Sequence, residues 1–181
     1  MNKNSQKILI KDRYNELGAR LYDLMYGEEQ RAKYREALGI VRVTSGQIAL
    51  DNGCGTGLFL SELKSIAVGL DLSQVLLREA RKRVLLKEEI HLINGDTENL
   101  PIRNNVIDIT FNFTVLQNTP LPEQMLAESK RVASTEAKHI VTVHKKTMQL
   151  EVLRNVIEKS SLKLVKIIDA ENIKDWIVLA K

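Results

Sequence analysis

The chain has 181 residues, of which 44% are hydrophobic and 28% charged, and its formal net charge is +4. These values predict one globular domain, 1–181, and no apolar run approaches the roughly 18 residues of a membrane span. The polar N-terminal segment lacks the apolar core of a signal peptide, so we expect a cytoplasmic protein with no membrane association. The single cysteine, Cys54, excludes an internal disulfide and a cysteine-based metal site.

Two helices are the first predicted elements. Apolar and aromatic side chains recur at helical spacing through residues 11–26, at Tyr14, Leu17, Leu21, Leu24 and Met25. Gly27 is expected to end this helix, and a second helix is expected over residues 28–39, ending at Gly39.

A strand and a glycine-rich turn follow. The apolar run 48–50 predicts a buried strand that ends in Asp51, and three alternating glycines, Gly53, Gly55 and Gly57, come next. Glycine permits positive φ and a close approach of a ligand. Apolar residues then resume at helical spacing over 58–63. The G-x-G-x-G spacing differs from the G-x-G-x-x-G of dinucleotide-binding turns, and a preceding carboxylate repels a pyrophosphate but suits a cation.

The segment 51–57, Asp-Asn-Gly-Cys-Gly-Thr-Gly, closely resembles the D-x-G-C-G-T-G signature of class I methyltransferases of the general type 11 group. The resemblance implies S-adenosylmethionine, a cation without phosphate, as the cofactor. The alternative is a structural glycine turn in another α/β protein. The cofactor-binding candidates in this segment are Asp51, Gly53, Cys54, Gly55 and Gly57, with Cys54 interpreted as a small packed side chain rather than a nucleophile.

A second apolar strand, 66–71, ends in Asp71, and the residues after it resemble the family's D-x-S-x-x-x-L-x-x-A pattern. An acid at this strand end can accept hydrogen bonds from both ribose hydroxyls. Leu72 is a further cofactor-binding candidate, and Ser73 is expected to cap the next helix. Taken alone, Asp71 would be interpreted as a solvated acid.

The third strand precedes Asp96 and Thr97, within a segment that resembles the family's G-D-a-e-x-L-P. The resemblance implies that Asp96 accepts the exocyclic amine of adenine and that Thr97 lies beside the ring. A carboxylate cannot donate, so it selects an amino group over a carbonyl at that position.

Residues 106–118 resemble the family's fourth strand, and the resemblance implies that the end of this strand, 112–117, faces the transferring methyl group. Asn112 and Phe113 are therefore candidate catalytic residues, and Asn112 is also a candidate cofactor contact. His144 follows a predicted fifth strand, 138–143, and could act as a base because its ordinary pKa is near neutrality. The alternative is an ordinary surface histidine.

The remaining elements are helices over 122–132 and 148–160 and two strands, 163–168 and 176–180. A short loop between those strands predicts an antiparallel pair, a hallmark of class I methyltransferases. The expected fold is α/β, a seven-stranded, mostly parallel, doubly wound sheet of order 3-2-1-4-5-7-6. The resemblance implies a helical lid, 1–44, over a sheet core, 45–181, with Tyr14 and Tyr22 touching the methionine end of the cofactor unless they only pack.

The methyl acceptor is not identified by these motifs. The loops leave little room for an insertion that closes over a small substrate, which favours RNA or protein over a metabolite. Basic side chains on the predicted third helix, and Lys145 with Lys146, could meet phosphate, although a solvated face is the preferred interpretation of the helix. The alternatives are a small-molecule methyltransferase, a non-catalytic cofactor-binding subunit, and an enzyme completed by a small activator subunit or by a homodimer.

Overall fold

Seven strands form one sheet, flanked by helices on both faces, in the computed structural model, which describes residues 2–181. The helices are α1 (Lys3–Leu17), α2 (Ala19–Ile40), α3 (Gln74–Arg83), α4 (Pro122–Val132) and α5 (Leu150–Lys159). The strands are β1 (Ile48–Asn52), β2 (Ile66–Asp71), β3 (Ile90–Asn94), β4 (Ile107–Phe113), β5 (Ala133–His144), β6 (Leu164–Ile168) and β7 (Asp175–Ala180). No helix of residues 2–181 combines the length and the apolar character needed to cross a bilayer.

The strand order is β3-β2-β1-β4-β5-β7-β6, which confirms the expected topology. Strands β1 to β5 run parallel, and β7 is antiparallel to both β5 and β6. The direction of winding reverses between β1 and β4, so a crevice opens at their carboxyl ends. Asp51 pairs with Gly69 and with Phe111 in the register, which brings the ends of β1, β2 and β4 to one place.

The sheet separates two apolar clusters. Neighbouring residues of β5, Ile140 and Val141, are fully buried and belong to different clusters because side chains alternate along a strand. On one face the ring of Phe59 lies 5.0 Å from Tyr34 of α2 and 4.8 Å from Phe113 of β4. This aromatic contact ties α2 to the carboxyl end of β4.

The first helical region differs from the prediction. The break between α1 and α2 lies at Gly18, which has φ 72° and ψ 154°, whereas Gly27 and Gly39 lie inside α2. A glycine inside a helix costs only about 1 kcal/mol, so burial of one helix face can offset it. The backbone geometry at residue 18 is one that other residues rarely adopt.

Two further boundaries differ. The segment after the glycine turn forms only a short 3₁₀ helix, Leu60–Glu62, because Phe59 and Leu60 are both drawn into the core. Strand β5 begins at Ala133 rather than at 138, since its first residue already pairs with Ile107 of β4.

Candidate functional site

A cavity of about 730 Å³, its open mouth included, lies at the carboxyl ends of β1, β2 and β4. The predicted site residues that line it are Tyr14, Tyr22, Gly53, Gly55, Asp71, Leu72, Asp96, Thr97 and Phe113. Asp51, Cys54, Gly57, Asn112 and His144 are not among the lining residues.

The backbone amides of the glycine turn are used within the protein. Gly53 and Cys54 both donate to the carbonyl oxygen of Leu70, at 2.8 and 2.9 Å, and Gly55 donates to Oδ2 of Asp71 at 2.8 Å. A pyrophosphate site needs free amides at the start of a helix. This turn leads into a single 3₁₀ turn and offers no such amides at these three positions, so it suits a ligand without phosphate.

Each glycine of the turn is required for a different structural reason. Gly53 has φ 87°, and a Cβ there would lie 2.6 Å from Cγ2 of Val115. Gly55 has φ 53° and only the ring of Tyr22 within 4 Å, so its open side faces the cavity. Gly57 has φ 74° and packs against α3, where a Cβ at this position would lie 3.0 Å from Cβ of Ala80. Gly57 therefore supports helix packing and not the cavity wall.

Asp71 has both carboxylate oxygens engaged at the cavity wall. Oδ2 accepts from the Gly55 amide and Oδ1 from the Ser73 amide, each at 2.8 Å. Burial nevertheless raises the pKa of this carboxyl above its usual range. Each oxygen keeps a further acceptor position, which a pair of ligand hydroxyls can use.

Asp51 lies just behind the cavity wall with 2% of its surface exposed. Burial, together with the nearby charge of Asp71, raises the pKa of the Asp51 carboxyl to about 8. No residue from 2 to 181 stabilises its charged form through a hydrogen bond to the side chain. A cation in the adjacent cavity would favour ionisation of this carboxyl.

Asp96 is already paired. Nζ of Lys7 in α1 lies 2.6 Å from Oδ2 of Asp96 and 2.5 Å from Oε2 of the buried Glu98, while Oδ1 of Asp96 accepts from the Glu98 amide at 2.9 Å. The sequence indicated Asp96 but not Lys7. An adenine amine at Asp96 would share this carboxylate with Lys7.

Helices α1 and α2 form one wall of the cavity. The rings of Tyr14 and Tyr22 meet at 64° with centroids 6.1 Å apart, and burial raises the pKa of both phenols, which keeps both hydroxyls protonated at neutral pH. Asp23 accepts from the Thr56 hydroxyl at 2.6 Å and pairs with Arg83, so α2 is fastened to the glycine turn and to α3.

Asn112 does not reach the cavity, which corrects its expected catalytic and cofactor-binding roles. Its side chain is fully buried on the α4 face, where its Oδ1 accepts from Asn52 at 3.1 Å and from Ser129 at 3.2 Å. The reason is the alternation along β4, because Phe113 occupies the cavity face and its neighbour must point the other way.

His144 and Cys54 also lie outside the cavity wall. Nδ1 of His144 accepts from the Lys146 amide at 3.2 Å, within the turn that follows β5, and the residue does not contact the cavity. Cys54 is buried, and burial raises the pKa of its thiol well above the usual range, which disfavours the thiolate that a nucleophile needs.

Several residues that line the cavity were not singled out from the sequence. On α1 these are Lys7, Ile10 and Lys11, and beyond β4 they include Val115, Asn118, Thr119 and Pro120. Helix α1 has no buried residue, so residues 3–10 show no apolar period that could have revealed a helix. Of the α1 residues that line the cavity, Tyr14 is the one that the sequence indicated.

The family model described as a methyltransferase domain matches residues 50–141. Sequence relatives include an uncharacterized protein of Methanocaldococcus jannaschii, 28% identical over 93% of this chain and 69% of its own length. A demethylmenaquinone methyltransferase of Staphylococcus epidermidis is 32% identical over 62% of this chain and 49% of its own length. An uncharacterized transposon protein of Streptomyces fradiae is 37% identical over 48% of this chain. The chain spans 27% of that protein and about half of the Staphylococcus enzyme.

Solved structures share the fold. One is the complex of the Haloferax volcanii Trm112 methyltransferase activator with a proposed methyltransferase, with TM-score 0.78, 15% identity, and coverage of 92% of this chain and 96% of that one. Another is a SAM-dependent methyltransferase of Aquifex aeolicus, with TM-score 0.72 and 18% identity. That match covers 99% of this chain and 98% of the Aquifex chain. The chain belongs to the methyltransferase domain family, and it shares the fold of these solved structures.

Proposed function

We propose that the chain is a class I methyltransferase that uses S-adenosylmethionine as its cofactor, and that this cofactor lies along the cavity. In this placement its adenine lies at Asp96 and Thr97, its ribose at Asp71, and its methionine end at Gly55 and near Asp51. The support is the chemistry of the wall, which offers carboxylates and no free turn amides at residues 53–55. Asp71 and Asp96 on the wall can accept from hydroxyl and amine donors, and Asp51 behind the wall suits a cation. When bound, the cofactor supplies a methyl group activated by a cationic sulfur.

The residues of the chain then contribute binding and alignment. Holding two reactants in line can lower a barrier by roughly 7–11 kcal/mol, and the donor is already activated. The titratable side chains on the cavity wall are Lys7, Lys11, Tyr14, Tyr22, Asp71 and Asp96. His144 lies outside this set, so we do not propose it as a catalytic base.

We further propose that the acceptor is a macromolecule. The observation that carries this is the shortness of the connections beside the carboxyl ends of β4 and β5. They comprise residues 114–121, 145–149 and 169–174. None has room for a segment that would close over a small substrate, and a large acceptor can present one group at such a mouth.

Protein is favoured over RNA because several of the basic side chains considered for phosphate binding already have partners within the chain. Nζ of Lys145 donates to the carbonyl oxygen of Ile173 at 2.8 Å and pairs with Asp169 at 2.6 Å. On α3 and just beyond it, Arg83 pairs with Asp23 and Lys87 donates to the Leu63 carbonyl at 2.7 Å. Phosphate binding would have to displace these contacts.

A small apolar acceptor is the second candidate. Phe113, Val115 and Pro120 give the cavity an apolar wall near the end of β4. The name of the Staphylococcus relative, a demethylmenaquinone methyltransferase, supports the same choice. An apolar metabolite could be placed on this wall without any hydrogen-bonding residue.

An activator subunit is also proposed as a partner. The support is the Haloferax structure, in which a chain of similar fold is held by the Trm112 activator. The alternatives to an activator are a cofactor-binding subunit without catalysis and a homodimer.

The test offers radiolabelled S-adenosylmethionine to protein, RNA and small-molecule fractions of a cell extract, with the purified chain added. Asp71→Ala serves as the matched inactive control. Label in protein that depends on the wild-type chain would support the proposal, and label confined to the small-molecule fraction would sink it. Label nowhere, with cofactor bound, would favour a missing activator or a non-catalytic subunit.

A further inference from the structure

A buried charged network lies behind the end of β4, outside the cavity wall. Lys33 of α2 and Asp175 of β7 are both fully buried, and Nζ of Lys33 lies 3.0 Å from Oδ2 of Asp175. The same ammonium group lies 3.1 Å from Oε1 of Glu29 and 3.0 Å from Oγ1 of Thr114. All three of its hydrogens therefore have an acceptor.

Thr114 is the point where this network meets the cavity wall. It has φ 56°, a left-handed conformation that β-branched residues seldom adopt. Its amide donates to Oγ1 of Thr142 at 2.9 Å, and its carbonyl accepts from Asn118 at 2.9 Å. Its hydroxyl accepts from Lys33 and donates to Asp175 at 3.1 Å. Each polar group of Thr114 is thus tied to a partner, and such over-determination is what keeps an uncommon backbone conformation in place.

The position of Thr114 fixes its two neighbours. Phe113 and Val115 both line the cavity, and Val115 packs into the space left by the missing side chain of Gly53. A change in the backbone at Thr114 would move these two side chains relative to the glycine turn.

We propose that Lys33 and Asp175 are positioning residues of the methyl-transfer site. Acting through the hydroxyl of Thr114, they hold the residue left-handed and so place Phe113 and Val115 against the glycine turn. This inference rests on the proposed placement of the cofactor. An ion pair buried for stability alone is often replaceable by apolar side chains. This pair instead makes both hydrogen bonds of the Thr114 hydroxyl, which accepts from Lys33 and donates to Asp175.

The test uses a charge-balanced double variant, Lys33→Met with Asp175→Asn, and the variant Thr114→Val, which removes only the hydroxyl. We expect each to weaken binding of S-adenosylhomocysteine about tenfold by calorimetry, and the combination to weaken it no further, because all act through one group. Thr114→Ser should retain the wild-type affinity. The exposed pair of α3, replaced as Glu79→Gln with Lys82→Met, is the matched control and should change nothing.

Backbone coupling constants at residue 114, measured by NMR, provide a readout that loss of stability alone does not move. Wild-type affinity and unchanged coupling in Thr114→Val would overturn the proposal, even if the double variant fails to fold. The proposal would also be overturned if the double variant combined with Thr114→Val weakened binding by the product of the separate effects. Failure of the wild-type chain to bind S-adenosylhomocysteine would instead refute the cofactor placement, and the acceptor proposal is not touched by these measurements.

Discussion

Lys7 of the first helix forms an ion pair with Asp96, the acid expected to bind the adenine, with 2.6 Å between Nζ and Oδ2. Glu98 holds the other side of the same ammonium group at 2.5 Å. Since α1 buries no residue of its own, this ion pair is a principal attachment of the helix near the cavity. With the cofactor placed as proposed, we expect its release to require this contact to loosen.

Replacing Lys7 by Met should speed release of S-adenosylhomocysteine about tenfold, because a charge-assisted contact that closes the cavity wall is lost. Added salt should accelerate release from the wild type and have little effect on the variant, since the ion pair is what salt screens. Stopped-flow dissociation measures both. Lys3→Met, exposed at the start of the same helix, is the control. An unaltered release rate in Lys7→Met would show that α1 is not fastened by this pair.

Asp71→Ala should weaken cofactor binding by about 1–3 kcal/mol, because two ribose hydroxyls lose an acidic acceptor. The variant also leaves the amides of Gly55 and Ser73 without their acceptor, so the turn itself loosens. Calorimetry with S-adenosylhomocysteine measures the loss, and Glu79→Ala on neighbouring α3 is the control. Equal affinity in wild type and Asp71→Ala would mean that the ribose lies elsewhere.

The stability of the cofactor-free protein should fall as pH rises from about 4 to 8. The Asp51 carboxyl has a pKa of about 8 in the folded chain against 3.8 as the ordinary value, so the folded state holds a proton that the unfolded state has lost. Stability therefore decreases across this window and levels off above it. Urea unfolding at several pH values should show the slope, and Asp51→Asn should reduce it.

The same carboxyl predicts proton release on cofactor binding. A cation near Asp51 lowers its pKa, so binding near pH 7 should release up to one proton and tighten with rising pH. Calorimetry in buffers of different ionisation enthalpy counts the protons. Binding without proton release in the wild type would place the positive charge away from Asp51.

Gly53→Ala should destabilise the fold by about 1–3 kcal/mol, because a Cβ would meet Val115 at 2.6 Å in a left-handed backbone. Adding Val115→Ala removes the clash and leaves the backbone strain. The double variant should therefore be less destabilised than the two single changes added together. Simple additivity in urea unfolding would indicate that the packing at Gly53 is not the cause.

The sheet was predictable because its signals are local. Each inner strand is a short apolar run, and Asp51 and Asp71 mark two of the strand ends at which the cavity opens. The order of the strands follows from the connections and from the resemblance to the methyltransferase family. Residues 3–10 of α1 lie outside the helix predicted over 11–26, and the contact that Lys7 makes there is a charge pair that leaves no apolar period.

The network around Thr114 could not be predicted for a different reason. Lys33 and Asp175 lie near opposite ends of the chain, and only the folded sheet brings them together. A buried lysine in a helical pattern is indistinguishable from a surface lysine when the sequence alone is available. By contrast, the side on which Asn112 lies could have been deduced from alternation, given that Phe111 and Phe113 are both apolar and occupy the same face.

That correction yields the last prediction. Asn112→Ala should lower the free energy of unfolding by about 1–3 kcal/mol, because the amide of Asn52 loses one of its two acceptors in a buried setting. The affinity for S-adenosylhomocysteine should stay at the wild-type value, since Asn112 faces α4. Phe113→Leu, one residue away but on the cavity wall, is the matched comparison and should weaken binding. Urea unfolding and calorimetry on the two variants separate the effects. A loss of cofactor affinity in Asn112→Ala without a loss of stability would return this side chain to the site and contradict the packing of β4.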